Sequence, residues 1–336
     1  METLKIALIG CGKQAPKHIS GLRKIPGVEL VLADINPHYA EQLGAQQGLA
    51  WRPQVEDIFA DPALKAVDIC TPTASHAELI SRAVAAGKDF FCEKPLCASL
   101  QEAQTIVEHL ETSQRKGMVG YVYRFSPVFE MGRSFFEDVP FGGESKVLGK
   151  VVSAFFRLGG RGGHQPWKHL KAHGGGAINE MLVHMIDLAL WYLGPAATAQ
   201  VLASDLLRAR RPVAGKMTAV DAEDYVLVRL KTQSGVEVLC QADLITPVFT
   251  NLVEIQGENG TFMASIQPEM PSFLFCQEGA AGYPAGKTPL KFGPLNLFEA
   301  HMAEFVHMVR WQKEPSRCTM QDSLRLLETL ELLNQN

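Results

Sequence analysis

The sequence predicts an α/β protein in two parts: a parallel, doubly wound sheet, then an α/β domain built on a large, mainly antiparallel open sheet. Three observations carry this reading. Up to about residue 123, short apolar runs alternate with amphipathic stretches of helical length, the pattern of strands linked by crossover helices. After residue 124, strand-like runs follow one another across glycine-containing turns. The chain has 336 residues, room for two domains at roughly 100–200 residues each. The predicted division is 1–123 and 124–336.

Taken in order, residues 5–10 form a short apolar run ending in glycine, read as a buried strand. Gly10-Cys11-Gly12-Lys13-Gln14-Ala15 follows and leads into a helical pattern through Ile19 and Leu22. Residues 29–35 are a second apolar run with Asp34 near its end, and a polar helix spans about 38–47. Residues 66–71 read as a strand stopped by Pro72, and 77–86 as an amphipathic helix stopped by Gly87. The strand over 89–92 meets Glu93-Lys94-Pro95. A helix over 100–114 and a strand over 118–123 complete the first domain. In the second, 147–158 alternates as a strand, 159–176 is glycine-rich, and 177–193 is a helix that is apolar nearly all round. Strands are expected at 199–205, 224–231, 236–244, 252–256 and 262–266, with turns at Gln233-Ser234-Gly235 and Glu258-Asn259-Gly260. Terminal helices are expected over 297–312 and 320–333.

Composition narrows the function. A net charge of -4 gives no general basic field for nucleic acid. No apolar run reaches the ~18 residues of a membrane span, and the first residues lack the basic and apolar regions of a secretory leader. The seven cysteines are scattered, without a Cys-x-x-Cys pair, as befits reduced thiols. A cytoplasmic protein that binds neither nucleic acid nor membrane is expected.

The first strand–helix turn reads as a dinucleotide site. Gly10 allows the tight turn, Gly12 lets backbone approach a pyrophosphate, and Ala15 is the small third residue that permits helix–strand packing. The phosphates would lie at a helix N-terminus, where free amides and the dipole favour anions. Asp34 follows about 20 residues on, placed to accept hydrogen bonds from the adenosine ribose and to repel a 2′-phosphate. NAD is therefore expected in preference to NADP, in a Rossmann domain.

With these residues in place, the sequence resembles the glucose–fructose oxidoreductase, inositol dehydrogenase and MocA (Gfo/Idh/MocA) family over essentially its whole length. The resemblance rests on Gly10-x-Gly12-x-x-Ala15 followed by His18, on Thr71-Pro72-Thr73-Ala74-Ser75-His76, and on Glu93-Lys94-Pro95. It rests also on Gly174-Gly175-Gly176 leading into Glu180, His184 and Asp187, then Trp191 and Gly194. It implies a substrate-binding and oligomerisation domain after the Rossmann domain. It implies NAD(P)-dependent hydride transfer at hydroxyl carbons of sugars, cyclitols and their derivatives, without a catalytic metal. It implies Lys94 and His184 as the catalytic pair, with Glu180 beside them where the family usually carries an aspartate. It further implies Thr71, Pro72, His76 and Glu93 as cofactor contacts.

The residues themselves suit that chemistry. Taking a hydride from a secondary alcohol requires loss of the hydroxyl proton, best done by a group that titrates near the working pH. Histidine does so unaided, which fits His184. Lys94 would orient the hydroxyl and stabilise charge on its oxygen, or act as the base itself if burial lowered its pKa. Glu180, His184 and Asp187 stand at i, i+4 and i+7, one face of a helix. Polar groups on an otherwise apolar helix must be paired or functional; the alternative is a structural His–carboxylate pair, and Asp187 is read as structural. Pro95 restricts Lys94 to extended backbone and admits a cis peptide. Tyr121, Tyr123 and Arg124 close the last strand of the first domain, with Arg124 a candidate substrate contact.

Residues 145–179 contain no aspartate or glutamate, yet hold Lys146, Lys150, Arg157, Arg161, Lys168 and Lys171 with His164, His169 and His173. Such a field would steer an anionic sugar, with Arg157, Trp167 and Lys168 as candidate contacts; a solvated basic loop is the alternative. The histidines lack a cysteine or acidic ligand set, so no metal is expected. The leading expectation is a dehydrogenase that exchanges NAD with solution. A second is a redox-neutral glycosidase or sugar–sugar oxidoreductase that retains NAD and uses it twice. A third, a non-catalytic dinucleotide-binding regulator, sits poorly with the joint presence of Lys94 and His184. Because the strands at 224–231 and 236–244 leave apolar residues on their outer face, a homodimer or homotetramer is expected.

Overall fold

The computed structural model describes residues 2–137, 143–161, 165–293 and 296–335. Contacts divide the chain into two units, Met1–Val122 with Asn296–Leu324, and Tyr123–Leu295 with Arg325–Asn336. In the first unit β1 (Leu4–Ile9), α1 (Ala15–Leu22), β2 (Val28–Ala33), α2 (Pro37–Gln47), β3 (Ala50–Trp51) and α3 (Val55–Ala60) alternate. They are followed by β4 (Leu64–Ile69), α4 (His76–Ala85), β5 (Asp89–Cys92), α5 (Leu100–Ser113) and β6 (Gly117–Val119). The strands are all parallel, in the order β3-β2-β1-β4-β5-β6. Their order reverses between β1 and β4, the switch point where strand C-termini open a ligand crevice. Sheets of this kind are covered on both faces, so their strands read as unbroken apolar runs: Ile6, Leu8, Phe90, Phe91 and Cys92 are all 0% exposed. Caps start the helices where the sequence supplies them. The Asn36 side chain accepts from the His38 amide, and Ser99 and Glu102 form a reciprocal capping box.

The second unit carries α6 (Pro127–Ser134), β7 (Glu144–Ser145) and β8 (Gly149–Gly159), then a π-helical turn (Ile178–Leu182) that runs straight into α7 (Val183–Leu193). Next come β9 (Ala196–Asp205), β10 (Arg210–Val213), β11 (Lys216–Ala219), β12 (Tyr225–Thr232) and β13 (Glu237–Asp243). The strands end with β14 (Thr250–Gly257), β15 (Gly260–Ala264), β16 (Phe273–Cys276) and β17 (Gly286–Pro289). Nine strands form one sheet among the described residues, in the order β17-β16-β15-β14-β8-β13-β12-β9 with β7 on β8, while β10 and β11 make a separate hairpin. Only the β8–β13 pairing is parallel; the rest of the sheet is antiparallel. Strand β12 shows why: Val226, Val228 and Leu230 are buried while Arg229 and Lys231 point outward, the alternation of a sheet with one covered face. Helix α7 covers that face against β8 and β13, burying Ile186, Leu188 and Leu193. Each such side chain contributes ~1.5–3 kcal/mol.

Two expectations need correcting. The helix expected over 177–193 is a π-helical turn followed by an α-helix, because an apolar run does not reveal where the bonding widens from i→i+4 to i→i+5. The boundary at 123/124 assigned everything after it to the second domain, yet α8 (Leu297–Trp311) and the start of α9 (Met320–Asn334) group with the first unit. Helix α8 packs on α1, and Gly21 makes that approach possible. A Cβ there would stand 2.7 Å from the Phe298 carbonyl oxygen. No described helix is long and apolar enough to cross a membrane.

Candidate active site

The glycine turn lies at the switch point. Gly10 has φ +98, and a Cβ on it would sit 2.8 Å from the carbonyl of Cys70 at the end of β4, so packing of the protein on itself demands glycine there. Gly12 is different: a Cβ on it would meet nothing within 4 Å. Its neighbourhood is open, which suits a backbone that receives a ligand. Buried Ala15 opens α1 with Pro16 in its first turn, an arrangement suited to a helix start. At the end of β2, Asp34 is held by backbone: Oδ2 accepts from the Cys11 amide at 2.7 Å and Oδ1 from the Asn36 amide at 2.9 Å. The carboxylate expected to meet the ribose is thus tied to the turn expected to meet the pyrophosphate.

Past β5, Lys94–Pro95 is a cis peptide and Lys94 is half-buried. Thr71 and the exposed Pro72 follow β4, the Thr71 hydroxyl accepting from Ser75 Oγ at 2.8 Å. His76 bridges these two segments. Its ring is 0% exposed, with Nδ1 and Nε2 each 2.9 Å from a carbonyl oxygen, of Pro95 and Thr71. Burial holds its pKa below the ordinary value, so the neutral ring donates to one of the two. It braces the Thr71 and Pro95 segments.

Behind these segments lies a network that the sequence reading did not assemble. His18, one turn into α1 and 0% exposed, has Nδ1 3.0 Å from both carboxylate oxygens of Asp68 and Nε2 2.9 Å from Glu93 Oε1. Burial alone would push the imidazole down, but the Asp68 carboxylate reverses this and holds its pKa well above the ordinary value. Burial would likewise raise Glu93; the hydrogen bond and charge of His18, then the charge of Lys94, bring it to about 2. Cys70 Sγ lies 3.2 Å from His18 Nδ1. His18, Asp68 and Cys70 are the described residues of metal-ligand type that converge, within 4.8 Å of one another. Asp68 was legible only as a charge inside the apolar run of β4.

In the second unit the triple glycine is a crossing point. A Cβ on Gly175 would lie 2.5 Å from the Lys168 carbonyl, and one on Gly176 (φ +123) 2.2 Å from a Glu223 carboxylate oxygen. Glu223 then accepts from the Ile178 amide at 3.1 Å, at the start of the π-helical turn. Glu180 lies in that turn, with Oε2 2.5 Å from Lys168 Nζ. His184, in the first turn of α7, is half-buried with its ring edge-on to Tyr123, centroids 4.9 Å apart. Asp187 is turned to Arg124, its oxygens 3.0 and 2.7 Å from Nε and Nη2. The three polar residues thus face three different partners. Arg124 is only 1% exposed, and its guanidinium is a buried counterion for Asp187 of α7. Tyr121 is likewise buried, past the end of β6, its hydroxyl donating to Ser323 at 3.1 Å.

Of the basic stretch, Arg157 on β8 has Nη2 3.8 Å from Asp243, and half-buried Trp167 lies under Lys168 Nζ at 5.2 Å from its centroid. The cations with the best-defined places are therefore matched by carboxylates outside the stretch. His169 is buried. His164 and the His173 side chain fall outside the described residues.

A family model described as "Oxidoreductase family, NAD-binding Rossmann fold" matches residues 4–121, and one described as "GFO/IDH/MocA C-terminal domain" matches residues 144–263. The chain is 29% identical over 274 residues to inositol 2-dehydrogenase of Rhizobium meliloti (strain 1021), covering 79% of this chain and 76% of the relative. It is 24% identical to levoglucosan dehydrogenase of Pseudarthrobacter phenanthrenivorans, covering 90% and 88% of the two chains. The fold superposes on a solved structure of levoglucosan dehydrogenase in complex with NADH and L-sorbose with a TM-score of 0.86 at 19% identity, over 99% of this chain and 96% of that one.

Proposed function

The chain belongs to the Gfo/Idh/MocA oxidoreductase family, and from that premise we propose an NAD-dependent dehydrogenase acting on a hydroxyl-bearing carbon of a neutral sugar or cyclitol. The observation that carries this reading is the half-buried His184 on a helix whose other residues, Trp191 apart, are sunk in the core, in a chain that also keeps Lys94 beyond β5. Bound NAD supplies the hydride acceptor. The Gly10–Ala15 turn and the N-terminus of α1 would hold its pyrophosphate, and Asp34 its adenosine ribose. The protein's own residues handle the proton and the charge. A ring nitrogen of His184 takes the hydroxyl proton, and Lys94 Nζ donates a hydrogen bond to the oxygen that loses it. Glu180 orients the substrate from the π-helical turn.

A neutral substrate is favoured over an anionic one because Lys168 is engaged by Glu180 and Arg157 lies near Asp243. Inositol and levoglucosan, the substrates named for two of the relatives, are uncharged polyols, whereas a third relative, 26% identical over 98% of both chains, is named for a carboxylated semialdehyde. The test is a panel of cyclitols, anhydrosugars, aldoses, uronates and sugar phosphates offered with NAD while NADH absorbance is followed. Turnover confined to uronates or phosphates would overturn the neutral assignment, and no turnover on any member would overturn the dehydrogenase reading.

We infer a preference for NAD over NADP. With both oxygens of Asp34 held by backbone amides, the carboxylate cannot readily swing away from a 2′-phosphate. NAD is expected to bind at least about tenfold more tightly, each 1.4 kcal/mol being a factor of ten, and Asp34→Ser is expected to narrow the gap. Calorimetric titration of both cofactors decides it; tighter binding of NADP would refute the inference.

We also propose that the outer face of the second-unit sheet joins two copies. Val152, Leu239 and Phe275 are exposed on it. Register places Arg229 beside Leu239, Leu239 beside Phe155, and Phe155 beside Glu254. A face that carries apolar residues and charges of both signs can complement itself across a two-fold axis. Sedimentation should give a dimer or tetramer at micromolar concentration, and Leu239→Asp should shift it toward monomer. A monomeric parent protein counts against the proposal.

A further inference from the structure

Packing alone does not account for the buried Asp68–His18–Glu93 network. Ionisable groups are costly to bury, and an apolar residue of similar volume would fill the space at less cost. The network instead sits where the glycine turn, the end of β4 and the Lys94 turn meet. Both nitrogens of His18 face carboxylate oxygens, at 3.0 and 2.9 Å. Ionised carboxylates only accept, so each nitrogen must carry a hydrogen and the ring is a cation held between two anions. Glu93 is held by this cation through Oε1, and its Oε2 accepts from the Lys94 backbone amide at 3.3 Å. Gly120 backs the same turn: a Cβ on it would stand 3.3 Å from Glu93 Cα and from Lys94 N. His18 is also faced by the Cys70 thiol, 3.2 Å from Nδ1, by Phe298 at 5.7 Å and by Phe91, edge-on at 5.4 Å with the buried His301 ring 4.7 Å from it.

We propose that His18 is a positioning residue for Lys94. Anchored by Asp68, it fixes the Glu93 carboxylate, which in turn fixes the backbone of the turn that carries the lysine. Because His18 stands on α1, the helix whose N-terminus would meet the cofactor, cofactor helix and catalytic lysine are held as one body. The inference rests on the reading of Lys94 as catalytic.

The test compares the parent enzyme with His18→Gln, which cannot bridge both carboxylates as a cation, using a substrate confirmed for the parent. Misplacing a catalytic group by about 1 Å costs on the order of 10²-fold. The kcat of the variant is expected to fall 10- to 100-fold while the KM for NAD stays within about threefold, since only the lysine turn is released. An unchanged kcat in the folded variant overturns the proposal. So does a parallel loss of kcat and of NAD affinity that tracks a lowered melting temperature, which is the mark of a purely structural residue. If His18→Gln does not fold, Asp68→Asn is judged by the same split. Two readouts need no turnover, and so separate failure of this inference from failure of the dehydrogenase reading. Long-range proton–nitrogen spectra should show the His18 ring still protonated on both nitrogens at a pH above that near 6.5 where an ordinary histidine loses its proton. Hydrogen exchange at the Lys94 amide should be slow in the parent and faster in Asp68→Asn. A neutral His18 ring, or exchange unchanged by the substitution, overturns the proposal even if the parent turns over no sugar.

Discussion

Lys94→Ala is expected to lower kcat by about 10³-fold while leaving NAD affinity within a few-fold of the parent. The reason is a division of labour inside the first unit. The open backbone at Gly12 and the tethered Asp34 carboxylate are the features suited to the dinucleotide, and neither depends on the lysine side chain. An interaction realised mainly in the transition state lowers kcat and spares ground-state binding. Loss of one preorganised donor to a developing alkoxide costs roughly 10²–10³-fold, and loss of an acid–base group 10²–10⁴-fold. The measurements are steady-state kinetics on a confirmed polyol, calorimetric NAD titration and a thermal melt. A folded variant that kept near-full turnover would remove Lys94 from the chemistry.

His184→Asn is expected to cost roughly 10²–10⁴-fold in kcat and to change the shape of the pH–rate profile as well. The parent should lose rate as the base becomes protonated; the variant, having no imidazole, should lack that acid limb. Asparagine keeps a hydrogen-bonding side chain, the edge-on contact with Tyr123 at 4.9 Å is surrendered, and a thermal melt checks that the variant folds. An acid limb that persists unchanged would show that another group is the base.

The fold could be read from the chain because its strongest signals are local. The unbroken apolar runs of β1, β4 and β5 announce a sheet covered on both faces, and the alternation along β12 announces one that is half covered. The glycine turn and the Glu93-Lys94-Pro95 segment likewise stand out within a few residues. What could not be read depends on partners far apart in sequence. Asp68 meets His18 across 50 residues and Glu223 meets Ile178 across 45, and no periodicity encodes either. Arg124 could be read only as a charge closing a strand; its partner, Asp187, lies 63 residues on. The return of α8 to the first unit was equally hidden, since an amphipathic helix does not say which sheet it covers. The β10–β11 hairpin escaped because Arg210, Arg211 and Lys216 interrupt its short strands.

The crossing at Gly175 and Gly176 bears on how this domain could be re-engineered. The Lys168 backbone, the two glycines and the Glu223 carboxylate occupy one another's space so closely that no side chain fits between them. A chimera that imports residues 165–176 from a homologue of different specificity, but keeps this chain's Glu223, would bring together surfaces that were not shaped for each other. The loop and the segment around Glu223 therefore form a single exchangeable cassette, although some 50 residues separate them in sequence. Libraries that vary both segments together should yield folded proteins far more often than libraries that vary the loop alone.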